Sequence, residues 1–156
     1  MHDISRSCAH LTKLGESLIG DLTDGDLAAP STPNGKTAGW LVGHLCITGD
    51  FIRRKSGGTP MTPKEWGPKF NMGTKPSTLT SDYPPMSELR TAFKNVYADL
   101  AKLAPTLSEE LLAGPAPFEP VRDRFPTFGS FLSWIMTGHL GYHLGQLSEW
   151  KANRAE

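Results

Sequence analysis

Four stretches of the chain repeat apolar residues at helical spacing. In the first, about residues 4–22, Ile4, Cys8, Leu11, Leu18 and Leu22 recur at three-, four- and seven-residue intervals and form one stripe. The second, about residues 37–55, opens on Thr37, a side chain suited to capping a first helical turn. It closes on Arg53, Arg54 and Lys55, whose charge suits the negative end of the helix dipole, and Gly57-Gly58 stops it. The third, about residues 87–103, has Ser87 as its expected cap, a stripe of Leu89, Phe93, Val96, Leu100 and Leu103, and Pro105 beyond its end. The fourth, about residues 127–153, is roughly 40 Å long if straight. No alternation long enough for a strand stands out, and no internal repeat is present.

The pattern predicts an all-α fold, a four-helix bundle in a single domain over residues 1–156. The second connection departs from a simple bundle. It runs from Ser56 to Ser87, about 30 residues where neighbours in a bundle need about 2–8, so it reads as a crossover or a lid. Lys64-Glu65-Trp66 is a candidate short turn inside it. Glycine and proline gather there, at residues 114–126, and in a smaller knot at residues 30–35.

Composition narrows the function. Lys plus Arg and Asp plus Glu are both 16, a balance that speaks against a nucleic-acid partner; the densest basic run is Arg53-Arg54-Lys55. Cys8 and Cys46 form no paired motif, which excludes a disulfide scaffold. No apolar run approaches a membrane span. Met1-His2-Asp3-Ile4 lacks the features of a signal peptide, and a cytoplasmic protein is expected.

The chemistry lies in three histidines. His139 and His143 are four residues apart, which on a helix places both on one face. Counting about 100° per residue from His139, Phe128, Leu132, Ile135, Met136, Tyr142, His143, Gln146, Leu147 and Trp150 all fall within about 80°. The pair therefore lies on the apolar stripe. On the second helix Trp40, Leu41, Ile47, Thr48 and Phe51 share the face of His44, while Gly39 and Asp50 point away. A buried polar group without a partner costs roughly 1–3 kcal/mol. Three imidazoles and Gln146 are then a heavy load for a domain stable by about 5–15 kcal/mol. No carboxylate on either stripe is placed to satisfy them. One divalent cation would, and three neutral imidazoles would leave it a position for water or substrate. Zn, Ni and Fe all suit such ligands. His2 and His10 lie off this constellation.

The combination of Trp40-Leu41-Val42-Gly43-His44-Leu45 with His139-Leu140-Gly141-Tyr142-His143-Leu144-Gly145-Gln146-Leu147 resembles the DinB/YfiT superfamily of metalloenzymes. The resemblance implies a bundle of up-down-down-up order with a long crossover between helices 2 and 3. It also implies His44, His139 and His143 as ligands of one divalent metal ion. Several members are transferases or isomerases that use bacillithiol, mycothiol or glutathione, so a low-molecular-weight thiol is the co-substrate implied.

The leading expectation is a metal-dependent thiol S-transferase acting on small electrophiles. Gln146 is a candidate to orient a ligand imidazole or contact substrate, and Trp40, Thr48 and Tyr142 are candidates for the pocket wall. The crossover would close that pocket and keep it dry. Cys46 is expected to be a buried small hydrophobe, about 200° from His44 on its helix. A metal-dependent hydrolase is the second reading; it needs a general base, which the helical stripes do not offer and for which Asp82 in the crossover is the candidate. A non-catalytic metal-binding stress protein is the third. Trp134, Gly138, Gly141 and Gly145 share another strip of the fourth helix. That strip predicts close approach of a second backbone, either within the bundle or in a homodimer.

Overall fold

Each of the four stretches is helical, with its ends set by particular side chains. The computed structural model describes residues 1–30 and 35–154, so most of the knot at 30–35 falls outside the described residues. Helix α1 spans His2–Ile19 and ends before Leu22, which is buried in the turn that follows. Helix α2, Ala38–Lys55, is capped as expected: the Thr37 hydroxyl accepts from the Trp40 amide at 3.1 Å. The crossover holds a 3-10 turn at Lys64–Trp66, the short α3 at Gly67–Phe70 and a further turn at Thr80–Asp82. Helix α4 spans Met86–Leu103 and begins after Pro85. Ser87 is not its cap. Asp24, far away in sequence, accepts from the Met86 amide at 2.7 Å.

Helix α5, Glu109–Ala113, was not anticipated; Ser108 caps it by accepting from the Leu111 amide. The last rod begins at α6, Phe128–Trp134, with a reciprocal cap between Thr127 and Ser130. It passes through a π-helical segment, Ile135–His139, into α7, Leu140–Arg154. Among the described residues no strand forms.

The rod and α4 each pack against both α1 and α2. Side-chain contacts give the directions. Cys46 meets Leu89 and Arg53 meets Asp99, so α2 and α4 run parallel. Gly15 lies on Phe93 while Arg90 reaches the Ile19 carbonyl, so α1 and α4 are antiparallel. Gly15 touches Leu144 and Lys151 bonds the Leu18 carbonyl, so α1 and α7 run together. Parallel neighbours such as α2 and α4 need a connection that returns the length of the bundle, which accounts for the size of the crossover.

Burial departs from the expected stripes in three places. On α1 the buried residues are Ser5, Cys8, Thr12, Gly15 and Ile19, while Ile4, Leu11 and Leu18 flank them. Small side chains let α4 come close; a Cβ on Gly15 would sit 2.4 Å from the Phe93 ring. On α2 the deepest face lies away from His44: Leu45, Cys46, Gly49 and Ile52 are buried, whereas Ile47, Thr48 and Phe51 are half-buried. Asp50, expected to point outward, is 1% exposed. It accepts from the Met61 amide, the Thr62 amide and hydroxyl, and Arg53, so the crossover and its own helix neutralise it. In the rod, the π segment adds about one residue to a turn. Leu140 takes the core position that an unbroken helix gives to His139.

Candidate metal centre

The bundle brings His44, His139 and His143 together. Among the described residues they are the one cluster of three or more ligand-type side chains, with one ligand atom of each within 4.8 Å of the others. His44 comes from α2, His139 ends the π segment, and His143 lies in the first turn of α7. Ring centres are 5.2 Å apart for His44 and His139, 4.8 Å for His44 and His143, and 4.5 Å for His139 and His143.

Hydrogen bonds orient two of the rings. His44 Nδ1 lies 2.7 Å from the Phe70 carbonyl oxygen, which can only accept, so Nδ1 carries the proton and Nε2 a lone pair. Phe70 reaches that position because Gly43 has no side chain; a Cβ there would meet the Phe70 ring at 2.7 Å. His143 Nδ1 likewise donates to Gln146 Oε1 at 2.7 Å, and the Gln146 amide donates to the Tyr142 hydroxyl at 3.1 Å. Gln146 therefore fixes a candidate ligand imidazole, one of its two expected roles. Trp40 stacks on His44 with centres 4.7 Å apart and planes 9° apart, and its indole N–H bonds the Thr74 hydroxyl of the crossover at 2.8 Å.

His139 has no such support. Its Nδ1 is buried without a partner among the described residues, and its Nε2 sits 3.2 Å from His44 Nε2. With the His44 proton on Nδ1, the His139 ring must either point a lone pair at another lone pair or leave a bare buried Nδ1. A cation fits between the facing nitrogens: two imidazoles bound at Zn–N distances near 2.0–2.1 Å lie about 2.9–3.4 Å apart, depending on coordination angle. The donor set also fits in protonation. Burial, reinforced by the neighbouring imidazoles, lowers His139 to about 3. Burial, with His44 nearby, lowers His143 to about 4, and burial lowers His44 as well. All three are neutral at pH 7, as ligands must be.

The centre lies at the rim of the core, not in its middle. His139 is half-buried and Tyr142, expected on the pocket wall, is 59% exposed and braces Gln146. Thr48 is half-buried one turn beyond His44. Two clefts beside the crossover, about 450 and 290 Å³, are lined by α4 and by the crossover itself and include none of the three histidines. Asp82 is engaged with Ser77 and is not in the cluster. Cys46 is fully buried, burial pushes its thiol well above the ordinary range, and it donates to the Leu89 carbonyl. His2 and His10 are exposed. Trp134 stacks on Phe125 and lies over Gly138, whose missing side chain is thus used within the chain. Among the described residues a Cβ on Gly141 would meet only Leu11, at 3.9 Å, and one on Gly145 nothing within 4 Å, so close packing among them explains neither glycine.

The fold and the cluster define a class: helical bundles with a three-histidine centre competent to hold a divalent metal. The family profile described as the DinB superfamily matches residues 12–147, and the chain belongs to that superfamily. Among solved structures it resembles one described as "YfiT from Bacillus subtilis is a probable metal-dependent hydrolase with an unusual four-helix bundle topology". That match has a TM-score of 0.67 and 15% identity over 98% of this chain and 86% of that one, a likeness of fold. No curated protein sequence matches the chain. Among the described residues no helix is long and apolar enough to cross a membrane.

Proposed function

We propose that the protein is a metal-dependent thiol S-transferase, with His44, His139 and His143 holding one divalent cation. The observation that supports this most directly is the absence of any carboxylate or cysteine from a cluster of three neutral imidazoles. Among the described residues the cluster brings no carboxylate base and no thiol of its own, so the nucleophile arrives with a co-substrate. A bound divalent cation would supply Lewis acidity, lowering the pKa of a thiol or water that joins it. His44 and His143 are held in one tautomer by Phe70 and Gln146, so their lone pairs are aimed before anything binds. In the transfer the thiol loses its proton to solvent and its sulfur forms a bond to an electrophilic carbon. The leaving group departs with the electron pair of the bond that breaks.

The second reading, a metal-dependent hydrolase, draws on the description of the YfiT structure. One assay separates the two. Protein loaded in turn with Zn, Ni and Fe is offered bacillithiol, mycothiol or glutathione with an aryl halide, and separately an activated ester without thiol. Thiol-dependent turnover that is lost on chelation and in His44→Ala supports the transferase. Ester hydrolysis alone supports the hydrolase. A homodimer through the rod face bearing Trp134, Gly141 and Gly145 belongs to the same proposal, supported by the open space over the two glycines. Sedimentation as a 17.0 kDa species at micromolar concentration would remove it.

A further inference from the structure

Among the described residues the cluster contains no carboxylate, and the charged side chain acting on it is a cation, Lys36. Lys36 lies just before α2, and its ammonium sits 3.6 Å from the centre of the Trp40 ring. The Trp40 ring centre is in turn 4.7 Å from that of His44, which places the ammonium within about 8 Å of the imidazole. Lys36, Trp40 and His44 are spaced four apart and stack along one side of the chain. The charge of Lys36 is felt at both His44 and His143, where it adds to burial in opposing protonation. Among the described residues no carboxylate pairs with Lys36; its one hydrogen bond goes to the Thr74 carbonyl at 3.1 Å. An ammonium has three donors, so capacity remains.

A cation beside a centre that would hold a second cation is electrostatically adverse, and an anion joining both would relieve it. We infer that Lys36 anchors a carboxylate of the substrate or co-substrate, and so selects acidic small molecules whose metal-seeking atom and carboxylate are separated by the span of the Trp40 ring. The inference rests on the thiol reading above and names the class of thiol that it favours. Lys36 is a specificity-determining residue here, not a ligand. A purely structural role, strapping the crossover to Trp40 through Thr74, would make no distinction between charged and neutral thiols.

The test uses the cobalt-loaded protein and two thiols of equal length, 6-mercaptohexanoate and 6-mercaptohexanol, followed by the sulfur-to-cobalt absorption band. The carboxylate should bind about five- to tenfold more tightly than the alcohol, the scale of one charge-assisted contact. Lys36→Met should reduce that preference below about twofold without changing cobalt content or affinity for the alcohol. Lys36→Arg should keep it. Equal affinities in the unaltered protein, or a preference that survives in Lys36→Met, overturn the inference and leave the thiol reading standing. Loss of cobalt in Lys36→Met assigns the residue to holding Trp40 and also overturns it. No band with either thiol removes the thiol reading and this inference together.

Discussion

Helix α2 carries a buried polar cluster on each of two sides, and the two are built differently. On one side Asp50 and Arg53 are 1% and 4% exposed. With Arg54 and Asp99 they make a set of two carboxylates and two guanidiniums, and Asp50 also takes three hydrogen bonds from Met61 and Thr62. Arg53 in addition donates to the Thr59 carbonyl. Every charge there has an answer within the chain. On the other side, among the described residues, the three imidazoles form no ion pair, one ring nitrogen has no partner, and two nitrogens face each other at 3.2 Å. A satisfied buried cluster fastens the crossover to the bundle. An unsatisfied set of imidazoles facing one another leaves a place for a group the chain does not itself supply.

The largest effect belongs to the satisfied side. Asp50→Ala leaves Arg53 with Asp99 as its remaining carboxylate and strips the Met61 and Thr62 donors of their acceptor, and should cost about 3–5 kcal/mol in urea unfolding. Metal content per folded molecule should stay as it was. If instead metal binding falls while stability holds, the two sides of α2 have been assigned the wrong way round.

On the unsatisfied side, His44→Ala should reduce bound metal from about one ion per chain to a trace by elemental analysis. Far-UV circular dichroism should change little, because the apolar faces of four helices hold the fold without the ion. Chelation of the unaltered protein should likewise leave it helical, unlike a structural zinc domain. A large loss of helicity would move this cluster into the class of structural staples.

Smaller again is Gln146→Leu. It removes the acceptor that fixes His143 and should weaken metal binding about 10- to 100-fold while leaving the ligand set intact. Equilibrium competition with a chromogenic chelator would measure it. A further effect is on metal-free stability against pH, and it is read at acid pH only. The three imidazoles titrate lower in the folded chain than the ordinary value near 6.5, so the unfolded chain binds more protons below that pH. Stability should be full above about pH 6.5 and fall as the pH drops toward about 4 and then 3. Replacing all three histidines with alanine should flatten that limb.

The helices and the three histidines were legible because both rest on local spacing. Apolar periodicity marks α2 and α4, and a four-residue gap marks the His139–His143 pair. What escaped depended on partners distant in sequence. Asp50 looked outward because the crossover that covers it, at Met61 and Thr62, leaves no trace in the pattern of α2. Ser87 looked like a cap because nothing near it announces that Asp24 supplies the acceptor. Lys36 was missed as a lone charge in a loop, and only its stacking on Trp40 gives it meaning. The short α5 did have a local signal, Ser108 followed by two acidic residues, of the kind that caps a helix.

The π segment at Ile135–His139 separates two phases of one rod. Upstream, Phe128, Phe131, Leu132, Ile135 and Met136 keep one buried rhythm; downstream, Leu140, Leu144 and Leu147 resume it about one residue late. The additional residue acts as a clutch between core and chemistry: each half turns to its own best angle, and the imidazole pair swings clear of the hydrophobic seam without the seam losing a single tooth.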